Sequence, residues 1–258
     1  MTVPFILFVI LLILMIAVGG KKGAKSFFTL ILNFFTLFLM IGLMTLGVDP
    51  IKITVYGCII ISSITLFYIN GVNKKTVSSL VSVIIVVLLN ILLTLKMGTA
   101  AKLQGFGKEQ AEAVLCLSVY VHINFSRVVI SVILIALLGA IIDVSISISS
   151  SMNEIYMNNT SITKNSLFKS GMNIGLDILG TMTNTLLFAY ISGFMTLIIW
   201  FVTMSYTFTD IINAKVFCAE VFQIISSGIG IILIIPVTAL VTSLMIFIKL
   251  PAWKRKLT

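Results

Sequence analysis

The stretch VVISVILIALLGAIIDVSISIS, residues 128–149, decides the fold class. Its only charged residue is Asp143, and its length is that of the roughly 20-residue apolar helix needed to cross the hydrocarbon core of a membrane. A carboxylate inside such a helix costs roughly 3 kcal/mol on insertion scales, so it normally faces a protein interior and often belongs to an ion or proton path. The stretch therefore predicts a transmembrane helix in which Asp143 carries function.

The composition of the whole chain is that of a membrane protein. Of its 258 residues, 59% are hydrophobic and 10% are charged, whereas soluble domains carry about 25% charged residues. The net charge is +9, but the basic residues flank apolar runs, which indicates membrane topology and not a nucleic-acid partner. The three cysteines form no CxxC pair, so we expect no disulfide framework, no metal site and no cofactor.

Hydropathy predicts one polytopic membrane domain over residues 1–258, with seven spans and the lipid bilayer as its surroundings. We expect residues 96–126 to be an extracytoplasmic connection with an amphipathic helix, and residues 150–176 to be a cytoplasmic connection. With the N-terminus outside and the C-terminus inside, eleven of the 17 Lys and Arg residues lie on the cytoplasmic side, as the positive-inside rule requires. The predicted spans are 3–19, 26–47, 53–69, 77–95, 128–149, 177–202 and 221–247.

Two consecutive predicted helices carry polar residues spaced three or four apart, which places each set on one helical face. The first set is Asp143, Ser147, Ser150 and Glu154, and the second is Asn173, Asp177, Thr181 and Asn184. Because the two helices are consecutive and antiparallel, we expect the faces to meet or to share a cavity. The candidate proton or ion path consists of Asp143, Ser147, Asn173, Asp177, Thr181 and Asn184.

A structural interpretation of the same residues stays open at this point. Ser, Thr and Asn side chains often bond between transmembrane helices, and each bond contributes about 0.6 kcal/mol. Asp143 also lies near the predicted cytoplasmic end of its span, where a charge can reach water. The sequence contains no HExxH and no GxSxG motif, so we expect no enzyme activity.

Residues 105–239 resemble the YibE/F family of bacterial multi-pass membrane proteins. The resemblance lies in GFGKEQAEAV (105–114), LLGAIIDVSISISSSMNEI (137–155), LFKSGMNIGLDILGTMTNTLLFAYISG (167–193) and IPVTALV (235–241). It implies a permease-like protein of the bacterial inner membrane. The chain looks like a short, YibF-type member, which is expected to accompany a longer YibE-type partner.

The region around Asp143 is also similar to the fourth and fifth helices of the SecD/SecF and RND-type permeases. The shared pattern is an acid in one helix, a cytoplasmic connection, and a Thr-rich start to the next helix. This similarity implies an RND-like core of six helices, from the second to the seventh span, with one extra N-terminal helix.

Two functions agree with these patterns. The first is a membrane transport component, coupled to protons or cations, that works with a YibE-type partner or as a homo-oligomer. The second is a scaffold or receptor subunit that transports nothing, in which the polar faces only hold helices together and residues 96–126 bind a partner.

Overall fold

A computed structural model describes residues 3–100 and 125–248, and within these residues every regular element is a helix. The helices are α1 (Val3–Thr45), α2 (Pro50–Ser63), α3 (Lys74–Ala100), α4 (Phe125–Asn158), α5 (Lys164–Thr203), α6 (Phe208–Asn213) and α7 (Lys215–Phe247). A π-helical turn, Ile64–Tyr68, extends α2. Six of the helices, all except α6, are long and apolar enough to cross a membrane, which confirms an all-helical, multi-pass membrane protein.

Helix α1 is broken at Gly20, within the predicted connection between the first two spans. Gly20 has φ 54° and ψ −134°, a conformation that residues with a Cβ rarely adopt. The ring centroids of Phe8 and Phe27 lie 4.9 Å apart, whereas 19 residues of straight helix would separate them by roughly 28 Å. The two limbs of α1 therefore fold back on each other as a hairpin.

The core lies where α7 packs against α3, α4 and α5. Leu134, Leu137 and Ile141 of α4 are fully buried there, together with Ile231 and Ile234 of α7. Helix α1 packs against α2 and the π-helical turn instead. The molecule is thus a packed bundle of α3, α4, α5 and α7, with α2 and the α1 hairpin along one side.

Much of the outer surface of the bundle is apolar. Phe34 and Phe38 on α1, Leu92 on α3 and Phe188 on α5 are all exposed. Soluble proteins rarely expose large contiguous apolar surfaces. These faces therefore fit contact with lipid.

The helices extend through most of the region predicted as a cytoplasmic connection. Helix α4 continues to Asn158 and α5 begins at Lys164, where the Thr163 side chain accepts a hydrogen bond from the Ser166 amide and so caps the helix. Only residues 159–163 lie between the helices. At the other predicted connection, α3 continues to Ala100, and the predicted amphipathic helix lies outside the described residues.

Candidate functional site

Asp143 lines a cavity of about 1020 Å³ between α1, the end of α2 with its π-helical turn, and α4. Its side chain is exposed on the cavity wall. Within the described residues its carboxylate makes no hydrogen bond and no ion pair. The other polar residues of the lining are Asn33 and Thr65, and the rest is apolar or glycine. The acid predicted to carry function therefore stands unpaired in an apolar cavity.

Two polar contacts fix the depth of Asp143 along α4. At one end of the helix, Arg127 forms an ion pair with Asp49. At the other end, Lys75 Nζ donates to Ser150 Oγ at 3.2 Å. At 1.5 Å per residue these two levels are roughly 35 Å apart, close to the thickness of about 30 Å of a bilayer core. Asp143 lies seven residues before Ser150, which puts it roughly 10 Å from the Ser150 level along the helix axis, between the two polar contacts.

Asn33 reaches the cavity from the second limb of α1. Its Nδ2 donates to Thr65 Oγ1 at 2.9 Å, and its Oδ1 is buried without a hydrogen-bond partner. Thr65 belongs to the π-helical turn Ile64–Tyr68, and single π-helical turns of this kind are frequent at functional sites. A buried acceptor without a partner costs about 1–3 kcal/mol.

Ser147, the next residue of the predicted path, lies one turn beyond Asp143. Its hydroxyl donates to the Asp143 backbone carbonyl at 2.7 Å. This bond lies within the helix, so Ser147 does not hold the Asp143 carboxylate. Ser147 is half-buried, and it stays beside Asp143 as the sequence predicts.

The structure does not bring the second predicted face to the cavity. The residues of that face are exposed on α5, and none of them lines the Asp143 cavity: Asn173, Asp177, Thr181 and Asn184. The expectation that both polar faces meet in one cavity is therefore corrected.

The reason for this orientation is steric. A Cβ on Gly171 would lie 2.5 Å from Met152 Sδ of α4, and a Cβ on Gly175 would lie 2.2 Å from Ile235 Cγ2 of α7. This close approach requires the glycine face of α5 to point inward. Asn173 lies two residues from each glycine, on roughly the opposite side of the helix.

Sequence reasoning missed a buried hydroxyl cluster on the other side of α4. The hydroxyls of Ser79 in α3 and Ser149 in α4 are 2.6 Å apart. Thr238 in α7 donates to Ser145 Oγ at 3.1 Å. All four residues are fully buried. The sequence signal for this cluster is the four-residue spacing of Ser145 and Ser149, which share one face of α4. That face differs from the face of Asp143, because Ser145 lies two residues after it.

The hydroxyl cluster fits the structural interpretation of polar residues, since its members satisfy one another between three helices. A role in holding helices together does not explain Asp143, because its carboxylate has no partner among the described residues. Within 3–100 and 125–248, no group of three His, Cys, Asp or Glu residues could hold a metal ion. The cavity offers instead one carboxylate, one amide oxygen and one hydroxyl.

The model of the YibE/F-like protein family matches residues 7–248. The chain belongs to this family. The match covers Asn33, Thr65 and Asp143 together with the helices that hold them. No curated protein and no solved structure matches this YibE/F-like chain. The similarity to SecD/SecF and RND-type permeases stays a prediction.

Proposed function

We propose that this protein is the permease-like component of a membrane transport system, in which Asp143 takes up and releases a proton or a cation. The observation that carries the proposal is the unpaired Asp143 carboxylate on the wall of a cavity within the apolar layer. Intramembrane acids are costly and usually serve ion or proton movement. Asn33 and Thr65 are the other polar residues on the same cavity.

The proposal includes a bacterial inner-membrane location and seven crossings, with each limb of α1 as one crossing. Side-chain contacts support the view that the α1 break and the ends of several helices lie at the same end of the bundle. Phe28, eight residues after the break at Gly20, contacts Tyr68 with ring centroids 5.8 Å apart. Lys164 lies over the Phe247 ring at 5.6 Å, and Lys74 donates to the Ile246 carbonyl.

These contacts gather most of the lysines of the described residues at one end of the bundle. The Asp49–Arg127 ion pair lies at the opposite end. By the positive-inside rule we expect the lysine-rich end to be cytoplasmic, with the N-terminus outside and the end of α7 inside. The lysines at this end are Lys21, Lys22, Lys25, Lys74, Lys75, Lys164 and Lys169.

The exposed polar face of α5 supports the proposal that this protein acts as part of a complex. Asp177 lies on the outer surface of a helix with a membrane-spanning composition, and contact of this acid with lipid would be costly. A YibE-type partner that covers the face would remove that cost. The same observation favours a second candidate function, a scaffold or receptor subunit of a YibE/F complex that transports nothing.

Proton movement into reconstituted vesicles separates the two functions. The measurement follows interior pH for the wild type, Asp143→Asn and Glu154→Gln, each with and without a YibE-type partner. Glu154→Gln is the matched control, since it removes the same charge from the exposed end of the same helix, beyond Ser150.

The transport proposal predicts partner-dependent proton movement that is lost in Asp143→Asn and kept in Glu154→Gln. Equal movement in wild type and Asp143→Asn would refute the role of Asp143. Absence of movement in all three folded proteins would favour the scaffold.

A further inference from the structure

The Asp143 cavity is larger and more apolar than proton or metal-ion binding requires. Its volume of about 1020 Å³ is that of a site for a drug-sized molecule, since such pockets span roughly 300–1,000 Å³. Phe8 and Phe34 contribute aromatic rings, and Leu138 and Ile142 contribute aliphatic walls. Small-molecule sites combine a lining of this kind with a few placed polar groups.

The one charged group in the lining of the cavity is a carboxylate. The Asp143 carboxylate has no partner within the described residues. The Asn33 amide donates one of its two N–H groups to Thr65 Oγ1, and its Oδ1 is buried without a hydrogen-bond partner. We expect a fitting ligand to carry positive charge, because an anion would meet the Asp143 carboxylate with no cationic side chain in the lining.

We propose that the cavity binds a lipophilic amine in its ammonium form. The ammonium group donates to the Asp143 carboxylate. The apolar body lies along Leu138 and Ile142, and the rings of Phe8 and Phe34 are available to the cation. This inference rests on the proposed function, because both use Asp143, and it names the class of molecule that the transport system would carry.

The depth of the site favours a free amine over an aminophospholipid, which also joins an ammonium group to an apolar body. Asp143 lies roughly 10 Å from the Ser150 level along the helix axis, between the two polar contacts. A phospholipid would have to carry its phosphate to that depth, toward a carboxylate and an amide oxygen. Burial of an anion without a cationic partner is strongly unfavourable.

Helix packing provides a lateral opening to the cavity. The α1 hairpin packs mainly against α2 and the π-helical turn, and the cavity lies between α1 and α4. A lipophilic amine that partitions into the bilayer can approach the cavity from the lipid side.

Equilibrium dialysis tests the proposal with the full chain in phosphatidylcholine nanodiscs, and empty nanodiscs give the background. The probes are 4-phenylbutylamine and 4-phenylbutanol, which share one apolar body and differ in the ammonium group. We expect saturable binding of the amine and at least tenfold weaker binding of the alcohol. Loss of a charge-assisted hydrogen bond weakens affinity by about 10- to 100-fold. The affinity of Asp143→Asn for the amine should therefore be lower than that of the wild type by this factor.

Gly139→Leu is the second variant. Gly139 lines the cavity, and a Cβ there meets no atom within 4 Å. A leucine fills part of the cavity and leaves Asp143 and Asn33 in place, so amine binding should fall at least tenfold while the protein stays folded. Glu154→Gln should bind as the wild type does.

Several results would overturn the inference: equal binding of amine and alcohol, no effect of Asp143→Asn, or only the binding seen with empty nanodiscs. Competition by phosphatidylethanolamine added to the nanodiscs would show that the ligand is a lipid and would overturn the free amine. Proton movement through Asp143 without amine binding would reject the ligand and keep the proposed function. Amine binding without proton movement would support the ligand and reject the proposed proton transport.

Discussion

The contact of α5 with α7 gives a sharp prediction about Gly175. Its missing side chain leaves space for Ile235, because a Cβ would lie 2.2 Å from Ile235 Cγ2 and 3.2 Å from Ile148 Cδ1. Gly175→Ala should therefore force the helices apart. Gly180, five residues further along α5, is exposed and has no atom within 4 Å of a Cβ. Gly180→Ala is the matched control.

The magnitude follows from two terms. Overpacking a well-packed contact costs about 1–3 kcal/mol, and replacement of glycine by alanine within a helix contributes about 0.5–1 kcal/mol of stability. The helix term is common to both variants, so their free energies of unfolding should differ by the steric term, about 1–3 kcal/mol. Gly175→Ala is the less stable protein, and Gly180→Ala is at least as stable as the wild type.

Reversible unfolding in mixed micelles, followed by circular dichroism, measures both variants. Ile235→Ala removes the atom that the new Cβ meets, so Gly175→Ala should cost less stability in the Ile235→Ala background than in the wild type. Equal stabilities of Gly175→Ala and Gly180→Ala would refute the packing face of α5. The steric argument for the outward orientation of Asp177 would then be refuted as well.

Three further predictions concern the hairpin, the topology and the exposed polar face. A cysteine pair at Phe8 and Phe27, in a chain without its native cysteines, should cross-link readily; absence of a cross-link would contradict the break at Gly20. A cysteine at Asn73 should react with an impermeant maleimide only after the cells are opened, whereas one at Asn213 should react in intact cells; the reverse pattern would invert the topology. Asp177→Leu should lower the amount of YibE-type partner that copurifies, while the isolated chain stays folded; unchanged copurification would place the partner elsewhere.

Hydropathy predicts the helical elements well because a bilayer imposes length and apolarity on every span. The predicted connection between residues 19 and 26 corresponds to the break at Gly20. Spans predicted at 77–95 and 221–247 lie inside α3 and α7. The actual helices are longer, since helix geometry continues beyond the apolar layer, where hydropathy carries no signal.

The rotation of α5 could not be predicted from polar spacing alone. Asn173 and Asp177 repeat every four residues, and so do Gly171 and Gly175, with a different phase. Sequence shows two possible inward faces, and packing of the glycine face against Met152 and Ile235 selects one. Without a hydrophobic driving force between helices in lipid, close packing outweighs the polarity of a face.

The cavity also depends on contacts that no local pattern contains. Asn33 and Thr65 are 32 residues apart, and their bond requires the second limb of α1 to lie against the π-helical turn. Nothing in ITLFY (64–68) separates a π-helical turn from an α-helical one. Asp143, in contrast, is identifiable from sequence because its cost in an apolar span is independent of its neighbours.

Infrared difference spectroscopy of the reconstituted protein is the measurement that tests most directly whether Asp143 exchanges a proton with water. We expect a carboxylic-acid band that disappears as the pH is raised, that is missing in Asp143→Asn and that is present in Glu154→Gln. Identical pH-dependent spectra for the wild type and Asp143→Asn would show that Asp143 takes up and releases no proton, and would refute a proton path through this residue.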